Sequence, residues 1–329
     1  MQYRKFGHTD LSVSEIGFGA WAIGGGAMVG TTAIGWGDAD DTVSIKAIHA
    51  ALDAGITFFD TADIYGLGHS EELLGKELGG RSDVIIATKV GNVARNGQFT
   101  SDYTKAYIVS ACEASLRRLQ RDCIDYYQLH TARLAQLQQG DCIAAMLQLQ
   151  QEGKIRYWGL SLNTFEPEEE ARYLMQYKLG NGFQLVLNII NQTALHLINE
   201  AADMGYGIIA RMPLQFGMLT GKFDAGVHFS ENDHRKKRLT TQLITNARDV
   251  MAPVWDLCNK YNCSKTQLAL SFILSYEGVR TIIPGMRTPE QVQLNTGGLF
   301  QLQPADRQLI ELLGTTAFAP LLQQIRALG

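Results

Sequence analysis

Short runs of β-branched and aromatic residues alternate along this chain with longer stretches whose apolar positions recur every three or four residues. The first pattern belongs to strands and the second to amphipathic helices. Eight runs read as strands, at residues 15–19, 57–60, 84–89, 125–130, 156–161, 183–188, 206–211 and 279–284. Helical periodicity occupies 41–54, 70–78, 105–119, 141–152, 168–177 and 194–204. Gly55, Gly79, Gly153 and Gly205 stand where a left-handed residue can close a helix at little steric cost. Strands joined through helices run parallel, because the crossover must be long enough to pack back on the sheet. Eight such units predict an α/β fold, a (β/α)8 TIM barrel, here with an N-terminal hairpin, long loops and extra C-terminal helices.

The chain has 329 residues, and a barrel of this kind needs about 250. No Pro/Ser-rich linker divides it, so residues 1–329 read as one barrel domain. The surplus falls in a glycine-rich stretch at 24–40, in 92–102, in 223–245 and in a helical C-terminal segment at 304–328. With 46% hydrophobic and 19% charged residues and a net charge of −4, the chain is too apolar for disorder and has no charge block suited to nucleic acid. Neither a signal peptide nor a run of about 18 apolar residues is present, which predicts a cytoplasmic protein without a membrane partner. Oligomeric state stays open, a homo-oligomer included. Cys112, Cys123, Cys142, Cys258 and Cys263 are odd in number and contain no CxxC pair, so they read as free thiols. No His, Cys and carboxylate cluster has the spacing of a metal site.

Barrel sites are built at the C-terminal ends of the strands, and that rule selects Asp60, Lys89, His130, Ser161, Asn188 and Arg211. For Ser161 or Asn188 alone, a hydrogen-bonded strand end is as good a reading as a functional one. An acid, a base and an imidazole closing three successive strands are harder to explain structurally. Tyr65 follows Asp60 after a short turn, and an ammonium beside a phenol should lower its pKa from about 10. Lys89 would be that ammonium, held charged by Asp60, while His130 would orient an oxygen atom. Such a set puts a proton on an oxygen as charge develops there, which is what carbonyl reduction needs beside a hydride donor.

The run 55–66, Gly-Ile-Thr-Phe-Phe-Asp-Thr-Ala-Asp-Ile-Tyr-Gly, with Ser-Glu-Glu-Leu-Leu-Gly at 70–75, closely resembles the signature of the aldo-keto reductase superfamily. Ile-Ala-Thr-Lys at 86–89, Asp-Tyr-Tyr-Gln-Leu-His at 125–130, Trp-Gly-Leu-Ser at 158–161, the segment 213–222 and Thr-Ile-Ile-Pro-Gly at 281–285 match it in order. The bacterial oxidoreductases that resemble potassium-channel β-subunits look nearer than the mammalian type. The resemblance implies that Asp60, Tyr65, Lys89 and His130 form a catalytic tetrad. It also implies that NADPH, with NADH second to it, lies extended across the barrel mouth. By that likeness Ser161, Gln184 and Asn163 hold the nicotinamide amide. Pro213, Leu214, Gly217 and Leu219 shape the pyrophosphate loop with Lys222. Gly285, Arg287, Gln291 and Asn295 take the adenosine end, where Arg287 would pair with a 2′-phosphate. Arg211 departs from the pattern, since many relatives place an aromatic ring there to stack on the nicotinamide. It is expected to contact the cofactor, through phosphates or a neighbouring carboxylate. Thr-Ala-Arg at 131–133 likewise departs from the usual Trp-Pro, so no relative's substrate transfers.

Gly-Phe-Gly-Ala-Trp-Ala at 17–22 fits a dinucleotide fingerprint, but more glycines follow it where a helix is required. It reads as the first strand and its loop, with Trp21 and Trp36 as candidate substrate-pocket walls. The run from His228 to Arg238 reads as a loop that folds over the cofactor. His49 and His196 read as surface or packing residues. The leading function is NADP(H)-dependent, reversible reduction of an aldehyde or ketone to an alcohol, as an alcohol dehydrogenase of the aldo-keto reductase kind. The alternatives are a redox-sensing NADP(H)-binding subunit of slow turnover, and a cofactor-free aldolase or isomerase with Lys89 as Schiff-base nucleophile.

Overall fold

The computed structural model describes residues 1–223 and 226–329; Asp224 and Ala225, inside the insertion at 223–245, lie outside the described residues. Eight parallel strands form the barrel: β1 (Phe18–Gly19), β2 (Phe58–Asp60), β3 (Ile85–Val90), β4 (Ile124–His130), β5 (Ile155–Ser161), β6 (Gly182–Val186), β7 (Gly207–Arg211) and β8 (Val279–Ile283). Each falls within two residues of its expected position except at the start of β1. The sheet closes where β8 meets β1, through bridges Ile16–Ile282 and Gly19–Gly285 and a bond from the Gly17 amide to the Ile282 carbonyl at 2.8 Å.

Side chains alternate across each strand, and this alternation divides the core in two. Outward residues such as Phe59, Ile86, Tyr127, Leu129 and Ile208 join the large cluster under the helices. Inward residues Phe58, Ile85, Ala87, Tyr126 and Ile209 form a smaller cluster inside the barrel, with Phe6 from the N-terminal hairpin (Tyr3–Lys5 with Ser12–Ser14). Phe6 lies 5.0 Å from Tyr126 between ring centres. Gly159 leaves room for Tyr126, because a β-carbon there would fall 1.9 Å from the hydroxyl. The same alternation continues upward. Asp60, Lys89, Gln128 and Gln184 therefore occupy the next inward layer above the apolar plug, with His130 and Arg211 at the rim.

The surplus residues fold as additions to the barrel. Residues 24–40 hold a hairpin (Ala27–Val29 with Thr32–Ile34), and 92–102 hold another (Asn92–Arg95 with Gln98–Ser101). The 223–245 stretch contains the short helix Arg235–Arg238, and the C-terminal segment forms two helices, Pro304–Thr315 and Ala319–Ala327. Of the four glycines read as left-handed caps, Gly55, Gly153 and Gly205 have φ of +82°, +72° and +83°. Gly79 does not: its φ is −53°, and its amide continues the helical bonding to the Gly75 carbonyl. The five cysteines are free. Among the described residues no helix is long and apolar enough to cross a membrane.

Candidate active site

Lys89 and Asp60 form an ion pair of 2.5 Å, 0% and 2% exposed, one layer below the barrel mouth. An ammonium has three donors. Lys89 Nζ uses them on Asp60 Oδ1, on the Thr61 carbonyl at 2.7 Å and on the Tyr65 hydroxyl at 3.1 Å. Tyr65 thus accepts from Lys89, which leaves its own proton free to point into the cavity. Asp60 Oδ2 accepts from Gln128 Nε2 at 3.1 Å and from Gln184 Nε2 at 2.7 Å. Burial lowers the lysine's pKa, but the carboxylate of Asp60 and then Tyr65 outweigh it, and the net direction is upward. A firmly charged amine with no free lone pair is a poor Schiff-base nucleophile, which removes the physical basis of the aldolase reading.

The expected lowering of the Tyr65 phenol is not found. Burial pushes it above its usual value, and the ammonium of Lys89 opposes that rise without reversing it. His130 is pulled well below its usual range, by burial first and then by the cations Lys89 and Arg211. Its ring is therefore neutral, and Nδ1 has no hydrogen-bond partner among the described residues. The Tyr103 hydroxyl donates to the His130 carbonyl at 2.6 Å and fixes that strand end. Ring centres of Tyr65 and His130 are 6.0 Å apart, and Trp21 meets the Tyr65 ring edge-on at 4.6 Å.

These groups open into a cavity of about 1000 Å³ that runs across the barrel mouth. Its far end is lined by Lys222, Gly285, Arg287, Gln291 and Asn295, and its floor by Gln184, Arg211, Pro213, Leu214 and Gly217. Gln215, Phe216 and Gly217 have left-handed backbones, with φ of +44°, +58° and +95°, a local geometry that turns successive amides toward one concavity. Asn295 is buried yet makes no side-chain hydrogen bond among the described residues, and Arg287 makes only a long one, to the Trp36 carbonyl at 3.4 Å. These unused donors and the concave amide turn fit a phosphate-bearing dinucleotide.

Not every expected site residue lines that cavity. Ser161 is buried at the end of β5, in register with both His130 and Gln184. Asn163 Oδ1 accepts from the Phe165 and Glu166 amides and so caps its own turn. Leu219 packs in the outer core. Asn188 lies just beyond β6 and is saturated, donating to the Met212 carbonyl and Gln215 and accepting from two amides. Among the described residues Arg211 has no carboxylate partner: it donates to the Leu162 carbonyl at 3.1 Å and Thr164 Oγ1 at 3.0 Å. Trp21 and Trp36 separate, since Trp36 packs on Gly285 while Trp21 stays with Tyr65. His49 and His196 pair with Glu77 and Glu168 on the surface.

Two residues join the site that sequence reasoning had not singled out. Gln128 lies two positions before His130, on the same inward face, so strand alternation alone could have found it. His234 could not be placed from its position in a long loop. Its Nδ1 donates to the Gly35 carbonyl at 2.9 Å, its ring lies 5.6 Å from Trp21 and 5.1 Å from Phe216, and burial lowers it to about 4. With the Trp36–Asp233 bridge and an Asn232–Asp38 bond of 2.8 Å, it ties the 223–245 insertion to the 24–40 insertion across the mouth. No group of three or more potential metal ligands occurs among the described residues.

A parallel barrel whose mouth carries a lysine-backed tyrosine, a neutral histidine and a long phosphate-compatible groove defines a class of barrel oxidoreductases that use a nicotinamide cofactor. The chain belongs to the aldo/keto reductase family, which it matches over residues 15–313. It is similar to the aldo-keto reductase YhdN of Bacillus subtilis, 33% identical over 308 residues that cover 89% of this chain and 87% of that one. A relative from Escherichia coli, an NADH-specific methylglyoxal reductase, is 29% identical and covers 94% of this chain and 97% of its own. Among solved structures, the holo form of aldo-keto reductase AKR11C1 from Bacillus halodurans superimposes with a TM-score of 0.76 at 29% identity, covering 95% of this chain and 96% of that one.

Proposed function

We propose that this protein is an NADP(H)-dependent reductase of an aldehyde or ketone, reversible as an alcohol dehydrogenase, with Tyr65 as the general acid. The observation that carries this reading is the Asp60–Lys89–Tyr65 chain beside a neutral His130 at one end of the groove. The cofactor, when bound, supplies a hydride to the carbonyl carbon. Tyr65 gives its proton to the oxygen, so that C=O becomes CH–OH. Lys89 stabilises the phenolate left behind and recharges nothing else, because Asp60 and the Thr61 carbonyl hold its other donors. The neutral His130 offers a ring N–H to the substrate oxygen and orients it. Gln184 has spent its amide nitrogen on Asp60 and Gln128, which leaves its carbonyl to accept from the nicotinamide amide, with Ser161 and the Asn163 nitrogen beside it. Pro213, Leu214 and Gly217, backed by Leu219, shape the pyrophosphate loop with Lys222. Gly285, Gln291 and Asn295 take the adenosine, and Arg211 contacts the cofactor from the floor.

A panel of aldehydes and ketones with NADPH and NADH, followed by absorbance, tests the reading; absence of cofactor oxidation with every carbonyl would overturn it. Arg287 has no carboxylate partner among the described residues, which suits it to a 2′-phosphate. Arg287→Ala is expected to weaken NADPH about tenfold or more while NADH changes little, since a charged hydrogen bond contributes about 1.5–3 kcal/mol. Fluorescence titration of both cofactors measures this, and an equal loss for both would place Arg287 elsewhere.

The titration directions set a pH profile. The His130 donor form is neutral and persists well below its usual range, while the Tyr65 acid form persists above its own. The kcat/KM for reduction should therefore be level from about pH 6 to about pH 9. An inflection centred near the ordinary histidine value would show His130 charging in that window.

A further inference from the structure

Five cations line the cavity: Arg211, Lys222, Arg235, Arg238 and Arg287. Arg235 is paired with Asp233 at 2.5 Å, and Arg211 and Arg287 reach backbone or hydroxyl oxygens. Lys222 is exposed, where solvent compensates its charge. Arg238 differs from all of them. It is half-buried, its guanidinium lies 5.3 Å from the centre of the Phe216 ring, and no carboxylate, carbonyl or hydroxyl among the described residues accepts from it. A planar cation on an aromatic face with its N–H edge unused is a ready bidentate receptor for an oxyanion.

Its position indicates which oxyanion. The Phe216 ring beneath Arg238 touches His234, His234 touches Trp21, and Trp21 touches Tyr65, at centroid separations of 5.1, 5.6 and 4.6 Å. One aromatic wall thus runs from Arg238 to the proton donor. Lys222, Arg287 and Asn295 line the cavity too but are not part of this wall, whereas Phe216 also belongs to the Gln215–Gly217 turn, so the cofactor's diphosphate is the competing anion that the test separates. The acids of the cavity cannot answer Arg238: Asp60 is held by Lys89, Asp233 by Arg235, and Asp38 by Asn232.

We propose that Arg238 binds an anionic group, a carboxylate or phosphate, carried by the carbonyl substrate at the end remote from its reacting carbon. The inference rests on the reductase reading above and narrows it. With three ring contacts between Arg238 and Tyr65, the substrate is extended, its anion and its carbonyl at opposite ends, as in an ω-oxo acid or an aldose phosphate.

The test uses matched pairs that differ only in the anion: 6-oxohexanoate against hexanal, and D-ribose 5-phosphate against D-ribose. The wild-type protein is expected to favour the anionic member of at least one pair by about tenfold or more in kcat/KM. Arg238→Met should abolish that preference, leave the neutral member within about threefold, and leave the Kd of NADPH unchanged. Arg238→Lys, which keeps the charge but not the fork, should retain part of the preference. Equal rates within both pairs overturn the proposal. So does a variant that keeps the preference but weakens NADPH and NADH alike, since that result gives Arg238 to the cofactor's diphosphate. If no carbonyl is reduced at all, the reductase reading fails separately, and calorimetry of the NADP-loaded protein decides the anion site. Tighter binding of 6-hydroxyhexanoate than of hexane-1,6-diol, lost in Arg238→Met, sustains it; equal binding sinks it.

Discussion

Tyr65→Phe is expected to lower kcat/KM for carbonyl reduction by about 10²–10⁴-fold, the usual contribution of a positioned general acid. The substitution removes one oxygen. The ring keeps its edge contact with Trp21 at 4.6 Å, its contact with His130 and its place 4.7 Å from the Lys89 ammonium, so the pocket wall stays in position. Cofactor affinity should change less than about threefold, because no part of the proposed cofactor groove is touched. Steady-state rates with NADPH and a fluorescence titration of the binary complex separate the two effects. Full activity in the variant would show that the proton comes from elsewhere; a parallel loss of cofactor affinity would show that Tyr65 shapes the groove.

The second large effect is on stability. Lys89→Met removes one member of a fully buried pair and leaves the Asp60 carboxylate with only the amides of Gln128 and Gln184. An uncompensated buried charge costs about 3–5 kcal/mol, so the urea midpoint should fall accordingly, and reduction should fall with it. Adding Asp60→Asn removes the stranded charge. The double variant is expected to recover a large part of the stability and none of the activity, which distinguishes the cost of burying the pair from its part in tuning Tyr65. A single variant as stable as the wild type would mean that water or a rearranged side chain satisfies Asp60.

The barrel was legible because its two periodicities are local. A period of two inside each strand and of 3.6 inside each helix identifies the elements, and their alternation leaves few parallel arrangements. The same strand period puts Asp60, Lys89 and His130 on the inward face near the strand ends, so these three could be gathered before any coordinates, while Tyr65 entered through its motif and the likeness to the family. Asn188 shows the limit of that rule. The sequence reads it as a strand end like the others, but it falls two residues beyond β6, and its amide is consumed by Met212, Gln215 and two backbone donors. The Tyr65 phenol shows another limit. Proximity to an ammonium predicts a lowered value, and only the depth of burial decides that desolvation outweighs it.

The insertions were visible as surplus length but not as structure. That Trp36 packs on Gly285 while Trp21 stays with Tyr65, and that His234 and Asp233 tie one insertion to the other, depends on contacts between residues far apart along the chain. Such contacts leave no periodic trace in either segment. The sequence alone therefore determined the barrel, the inward acid, lysine and histidine near the strand ends and the family resemblance, all of which follow from short-range patterns and motif spacing. Tertiary structure decided which polar groups are already satisfied, which cation is left without a partner, and how the loops close the mouth. Those outcomes depend on burial and long-range pairing, where the free energy of a charge or a donor is set by neighbours that the local sequence does not specify.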